Sequence, residues 1–323
     1  MVPRQSLVVG THPQQPLCRP KVRCSGKGTV VRILVTGREG QVARSLAERA
    51  STVPGIELIV TARPDFDLLD PKSVRSAILV RKPSIVVSAA AYTSVDQAED
   101  EPETAQAINV LGARAVSAAA AETGAPVIHL STDYVFRGDK PGAYIETDTT
   151  GPNGVYGRTK LDGEGAVASA NSRHVILRTA WVYSPFGRNF VKTMLRLAKD
   201  RDTIRVVSDQ FGNPTSALDI ADGILHIAKA VERGENSHQF GIFHLAGTGG
   251  TNWSGLAREI FAESRRVGGP LANVEDIFTY EYPTGAKRPA NSLLDCQKLW
   301  DIYGWRAPDW QESCGAVVRR LVG

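Results

Sequence analysis

Short apolar runs punctuate this chain, each closed by small or polar residues and followed by a stretch whose apolar positions return every three or four residues. Arg32-Ile33-Leu34-Val35-Thr36-Gly37 reads as a buried strand that stops at glycine, and Val42, Leu46 and Ala50 then recur at helical spacing. Glu57-Leu58-Ile59-Val60-Thr61 predicts a second strand, and Asp70-Pro71 a helix start, a capping carboxylate followed by proline. Ile85-Val86-Val87-Ser88 predicts a third strand. A helix over Glu103–Glu122 follows, then a strand ending at Ser131 and another over His174–Arg178. Strands and helices alternating this regularly imply an α/β fold with a doubly wound parallel sheet. Beyond Ser184 the pattern loosens. A helix near Asn189–Lys199, a strand Ile204–Val207 and a helix Asp219–Arg233 lead to a strand Gly241–Ala246 that is expected to return to the main sheet. A helix Trp253–Ser264 and the stretch Arg288–Asp295 read as a smaller lobe.

The first strand-to-helix turn carries candidate chemistry. Gly37-Arg38-Glu39-Gly40-Gln41-Val42-Ala43 has the spacing GxxGxxA, in which backbone N–H groups and the helix dipole face a pyrophosphate. Gly37, Gly40, Gln41 and Val42 are therefore assigned to a dinucleotide. Arg63, at the tip of the second strand, suits the 2′-phosphate of NADPH; Asp65 and Asp67, with Leu68 assigned beside them, keep NADH as the alternative. Ala89, Ala90, Ala91 and Tyr92 follow the third strand and are assigned to the cofactor, because the small alanine side chains let backbone pass close to it. The expected organisation is a disordered extension over 1–30 and a Rossmann-like dinucleotide-binding domain over 31–180, to which 216–246 return. A discontinuous substrate-binding lobe takes 181–215 and 247–323. Thr132, just past a buried strand, joins Tyr156 and Lys160, whose i, i+4 spacing shares one helix face. An ammonium there is expected to lower the phenol pKa and ready it for proton transfer.

Charge changes one part of this picture. The formal net charge is +4, but Arg4, Arg19, Lys21, Arg23 and Lys27 lie in the first 30 residues without any acid, which leaves −1 for residues 31–323. The body thus has no basic signature for nucleic acid, and no apolar run is long enough to span a bilayer. The arm is rich in Pro, Gln and Gly. Translation starting near Val30 or Val31 is the expected explanation, with a targeting peptide as the alternative. Cys18 and Cys24 lie in the arm, Cys296 and Cys314 in the body, and no CxxC or Cys/His cluster occurs. A reducing cytoplasm is expected.

Taken together, Gly37–Gln41, Ala91–Glu99, Ser131–Phe136, Tyr156–Lys160, Arg178–Ser184, Asn189–Val191, Asp209–Thr215 and Arg288–Asp295 resemble the dTDP-4-dehydrorhamnose reductases, within the extended short-chain dehydrogenase/reductases. The resemblance implies reduction of the carbon-4 ketone of dTDP-4-dehydro-L-rhamnose by NADPH or NADH. By that resemblance Tyr156 is the proton donor, Lys160 holds the nicotinamide ribose, and Thr132 orients the ketone. Thr93, Val95, Asp96, Asp133, Tyr134, Trp181, Asn189 and Arg288 are implied substrate contacts, beside Thr132. The partner is a nucleotide sugar, with no nucleic acid and no membrane, and the chain is expected as monomer or homodimer. Three positions depart from the family. Ala43 replaces a glycine, Arg137 replaces an acid, and Ser45 stands where some relatives hold magnesium with acidic side chains; the resemblance leaves magnesium open as a further ion, but Ser45 does not support it and no metal ligand is assigned. Two other readings share the fold. One is a non-catalytic regulatory subunit resembling that of methionine adenosyltransferase; the intact Thr132/Tyr156/Lys160 set weighs against it. The other is a sugar-nucleotide epimerase or dehydratase, and Asp133-Tyr134 replaces the Asp-Glu expected of a dehydratase.

Overall fold

A computed structural model describes residues 30–234 and 238–323; the expected disordered arm, apart from Val30, lies outside them. In chain order the first half runs β1 (Val31–Thr36), α1 (Gln41–Ala50), β2 (Ile56–Thr61), α2 (Pro71–Arg81), β3 (Ile85–Ser88), α3 (Gln97–Asp100), α4 (Pro102–Gln106), α5 (Ala113–Glu122), β4 (Val127–Thr132), α6 (Val155–Ala170) and β5 (His174–Thr179). The second half runs β6 (Val182–Tyr183), α7 (Phe190–Leu197), β7 (Thr203–Val207), β8 (Phe211–Gly212), β9 (Thr215–Ser216), α8 (Ala217–Arg233), β10 (Gly241–His244), β11 (Thr251–Asn252), α9 (Trp253–Arg266), β12 (Asn273–Ile277), β13 (Asn291–Ser292), α10 (Gln297–Tyr303) and α11 (Trp310–Val322).

Six strands form one sheet in the order β10-β5-β4-β3-β1-β2, every pair parallel. β1, β3 and β4 are apolar on both faces because helices cover both. On one side Ile33, Val35 and Val87 pack against Leu46 of α1 and Ile220, Ile224 and Ile227 of α8. On the other, Leu34, Val86 and Ile176 meet Val74 and Ile78 of α2, Val116 of α5 and Val167 of α6. The expected doubly wound sheet is present. The chain leaves β1 toward β2 on one side and β3 on the other, so a crevice opens at their carboxyl ends. A separate apolar cluster joins α7, α9 and α11 to β7, through Val191, Ile204, Leu256, Ile260 and Val317.

The helix expected over Glu103–Glu122 is interrupted. Between α4 and α5 lies a π-helical turn, Ala107–Gly112. Asn109 in this turn is buried; its Nδ2 donates to the Tyr92 carbonyl and the Thr159 hydroxyl, and its Oδ1 accepts from the Tyr92 N–H. Gly112 packs where a Cβ would come 2.8 Å from that of Leu68. The wider turn accommodates both contacts, at the cost of regular i to i+4 bonding.

Candidate active site

β1 delivers Thr36 to the crevice, and its Oγ1 accepts from the N–H groups of Ala89 and Ala90, both at 3.0 Å. The segment after β3 is thereby pinned beside the glycine turn. Gly37 has φ of +92°, a left-handed conformation that favours glycine. At the start of α1, Gly40 is the N-cap, and it makes no side-chain capping bond. Its α-carbon faces open space, with nothing within 4 Å of where a Cβ would stand. The first N–H groups of α1 are therefore available to an anion.

A cavity of about 940 Å³ opens here. Gly37, Gly40, Gln41 and Val42 line it, as do Arg63, Asp67 and Leu68 from the end of β2, and Ala89, Ala90 and Ala91 after β3. Thr93, Val95, Asp133, Tyr134 and Trp181 complete the expected set on its walls, together with Thr132, Tyr156 and Lys160. Arg38, Phe66, Ser131, Thr179, Arg188 and Trp253 also line it, without having been singled out. Arg38 was legible in principle, as one of the two residues between the turn glycines.

Four expected residues stand outside this lining. Tyr92 is tied by its backbone to Asn109 and by its hydroxyl to Glu101 at 3.0 Å. Asn189 caps α7, and its amide donates to Gln41 Oε1 at 3.0 Å and to the Ser184 and Phe186 carbonyls. Arg288 donates to Asp96 at 2.7 Å, and Asp96 also accepts from the Ala286 N–H. Each of the four is thus bonded to neighbouring groups of the protein.

The catalytic candidates converge. Thr132 ends β4 and caps the short 3-10 turn Asp133–Val135, accepting from the Tyr134 N–H at 3.2 Å and donating to Asp133 Oδ1 at 2.9 Å. Asp133 is buried, and its Oδ2 has no partner. Burial pushes this carboxyl up to about 6, against hydrogen bonds that favour the ionised form. Tyr156 opens α6 and meets Tyr134 edge-on, ring centroids 5.6 Å apart. Gly157 allows this approach, because a Cβ there would stand 2.3 Å from the Tyr134 carbonyl oxygen. Lys160, one turn on, is buried and donates to the Leu130 carbonyl at 2.6 Å.

The expected lowering of the phenol pKa is not what the structure shows. Removal from water, with the Asp133 carboxylate adding to it, pushes Tyr156 up to about 12; the Thr132 hydroxyl opposes the rise. The Lys160 ammonium is engaged by a backbone carbonyl, and burial lowers its own pKa to about 8 despite the Glu164 carboxylate. Tyr156 is therefore protonated at neutral pH, the state a proton donor requires.

Trp181 has φ of +46° and stacks on Trp253 with centroids 3.6 Å apart. Gly212 lies beneath, where a Cβ would come within 2.5 Å of the indole. Strain of this kind, held by packing, is common at ligand sites. The residues present fit a dinucleotide: an uncapped helix start, a glycine turn, and two arginines, Arg38 and Arg63, without ion-pair partners among the described residues. Ser45 is buried in α1 with no partner for its Oγ. Among the described residues no group of three or more His, Cys, Asp or Glu side chains is placed to hold a metal.

A doubly wound parallel sheet, a glycine turn after its first strand and a Thr/Tyr/Lys set on the same cavity are the features of an extended short-chain dehydrogenase/reductase. Residues 31–322 match the RmlD substrate binding domain. A dTDP-4-dehydrorhamnose reductase of Sinorhizobium fredii is 51% identical over 292 residues, covering 90% of this chain and 97% of that protein. One from Escherichia coli K12 is 42% identical over 294 residues, with 90% and 97% covered. The solved dTDP-4-dehydrorhamnose reductase of Bacillus anthracis, in complex with NADP, superposes with a TM-score of 0.81 at 33% identity, over 88% of this chain and 98% of that one. This chain belongs to the dTDP-4-dehydrorhamnose reductase family. A UDP-glucose 4-epimerase of Thermus thermophilus shares the fold alone, at 21% identity and a TM-score of 0.72 over 90% of this chain and 98% of that one.

Proposed function

We propose that this protein reduces the carbon-4 ketone of dTDP-4-dehydro-L-rhamnose to dTDP-L-rhamnose, the last step in making this activated sugar for cell-surface polysaccharide. NADPH is the preferred reductant and NADH the alternative. The observation that carries the reading is the meeting of Thr132, Tyr156 and Lys160 in the cavity that the glycine turn also lines. Bound NADPH supplies the hydride. Tyr156 gives its hydroxyl proton to the ketone oxygen as that oxygen gains charge, and its neutral state at pH 7 supports this role. Thr132, held at the end of β4, orients the ketone, and Lys160 fixes the cofactor ribose. Arg38 and Arg63 face the 2′-phosphate; the Asp67 carboxylate already accepts from the Leu69 N–H at 3.0 Å, which favours NADPH further.

In this reading residues 31–180 with 216–246 hold the cofactor, and 181–215 with 247–323 hold the sugar nucleotide. Thr93, Val95, Asp133, Tyr134 and Trp181 touch the substrate, while Asp96, Asn189 and Arg288 brace those contacts. The two described cysteines, Cys296 and Cys314, are free thiols, which supports the cytoplasm. No helix among the described residues is long and apolar enough to cross a membrane. A monomer or homodimer is expected.

Tyr156→Phe tests the role assignments. It keeps the ring and loses the acidic hydroxyl, so NADPH should bind almost normally while turnover falls at least about 100-fold. Wild-type turnover in the variant would remove Tyr156 as the proton donor. Wild-type protein that binds NADPH and never oxidises it with this sugar would favour the regulatory-subunit reading.

A further inference from the structure

The reaction as described leaves one buried charged pair unused. Glu164 lies on α6 one turn beyond Lys160, so Tyr156, Lys160 and Glu164 follow one another at i, i+4 and i+8 on one face. Both Glu164 and Arg178 of β5 are almost fully enclosed, with side chains 4% and 3% exposed. Their pairing is a two-pronged fork: Arg178 Nε donates to Oε1 at 2.9 Å and Nη2 to Oε2 at 2.7 Å. Glu164 Oε1 also accepts from the Ser131 hydroxyl at 2.5 Å. Ser131 lies between Leu130, whose carbonyl receives Lys160, and Thr132. In the sheet it is in register with Arg178, as Thr132 is with Thr179.

From this arrangement we infer that Glu164 is a positioning residue for the reduction: by holding Ser131 while Lys160 holds Leu130, it locks the catalytic face of α6 against the end of β4, and it places a carboxylate one helical turn from Lys160. Two successive residues of β4 are thus clipped to α6 immediately before Thr132. A shift of α6 along β4 would separate the Thr132 hydroxyl from Tyr156. A pair present for stability alone could be replaced by apolar side chains without consequence for chemistry; the contacts to Ser131 and the position beside Lys160 give this pair a further task.

Among the described residues, few ionisable groups surround Lys160. On its own helix it has Tyr156 and Glu164. From β4 comes His129, kept neutral by burial with Lys160 adding to the effect, and Asp133 in the turn after it lines the same cavity. Arg178 reaches the group from β5 only through Glu164. Glu99, in α3, binds the Val155 N–H at the start of α6, and the π-helical turn packed on α6 carries no ionisable residue. Glu164 is accordingly the near carboxylate that favours the ammonium.

The inference rests on the proposed reduction, and its test is chosen to fail separately. The affinity of the full-length protein for NADPH is followed by cofactor fluorescence from about pH 6 to pH 10, a range that spans the loss of a lysine proton in this setting. In Glu164→Gln the alkaline loss of binding should begin at least about one pH unit lower than in wild type. An alkaline limb at the wild-type pH overturns the charge role, whether or not the sugar is ever reduced. Should the lone Arg178 unfold that variant, Glu164→Gln/Arg178→Gln leaves no unpaired buried charge and should show a smaller shift in the same direction, because a cation that disfavours the ammonium is lost with the carboxylate; a wild-type profile again refutes it. Ser131→Ala keeps the ion pair and cuts one clip. Its kcat should fall about tenfold or more with the KM for NADPH unchanged, and Glu164→Asp should recover part of the binding profile. Wild-type kcat in Ser131→Ala overturns the positioning role. Failure of wild-type protein to reduce the sugar, with the binding shift intact, sinks the proposed function and leaves the Glu164–Lys160 coupling standing.

Discussion

Replacing Asp133 with asparagine should flatten part of the pH dependence of stability. The carboxyl is 3% exposed and its pKa is raised from the ordinary 3.8 to about 6, chiefly by burial. A carboxyl whose folded-state pKa lies above its unfolded value stabilises the fold when protonated. That stability is fully present below the unfolded pKa and is lost as pH rises through the folded one. The rise corresponds to a loss of about 3 kcal/mol at neutral pH, of which about 1.5 kcal/mol falls between pH 5 and pH 8. Asparagine keeps the oxygen that accepts from Thr132 and has no titration. Thermal unfolding of both proteins across this range is the assay. For a chain of this size each kcal/mol moves Tm by about 2 °C. The Tm of Asp133→Asn relative to wild type should therefore rise by roughly 3 °C from pH 5 to pH 8. A difference that stays constant would mean that Asp133 titrates in its ordinary range. A lowered pKa would give the same constant difference, because it too titrates below pH 5, and in either case the burial argument would be wrong.

Two further outcomes follow from the cavity walls. Arg63→Ala should raise the KM for NADPH roughly ten- to a hundredfold while leaving that for NADH nearly unchanged, since a charge-assisted bond to phosphate contributes about 1.5–3 kcal/mol; equal effects on both cofactors would place the guanidinium in solvent. Gly157→Ala forces a Cβ against the Tyr134 carbonyl and Pro152. It should lower stability by about 1–3 kcal/mol in denaturant unfolding and reduce kcat as α6 moves off the turn, whereas a neutral result would show that the helix can shift without consequence.

The sheet was readable because its strands are covered on both faces, so that β1, β3 and β4 appear as unbroken apolar runs between helical periods. β12 escaped notice for the opposite reason. Its sequence Asn-Val-Glu-Asp-Ile pairs only with β7 and exposes three of five residues, so it carries little apolar signal. The π-helical turn at Ala107–Gly112 was equally hidden, since the contacts it accommodates, Asn109 with Tyr92 and Gly112 with Leu68, join residues distant in sequence.

At the site, the spacing of Tyr156 and Lys160 sufficed to place them on one helix face. Local spacing did not reveal the burial that raises the phenol pKa, nor that the Lys160 ammonium points at a backbone carbonyl. Glu164 lay in plain view, one turn beyond Lys160. Its importance depends on Arg178, which is 14 residues away and joined to it only by the fold.

The most direct test mixes full-length protein, NADPH and enzymatically prepared dTDP-4-dehydro-L-rhamnose and follows loss of NADPH absorbance together with the sugar nucleotide formed. The account predicts one NADPH consumed for each dTDP-L-rhamnose produced, and no consumption without the dehydro-sugar. NADPH that binds and is not oxidised, or a sugar nucleotide that is epimerised or dehydrated with no net loss of NADPH, would contradict it.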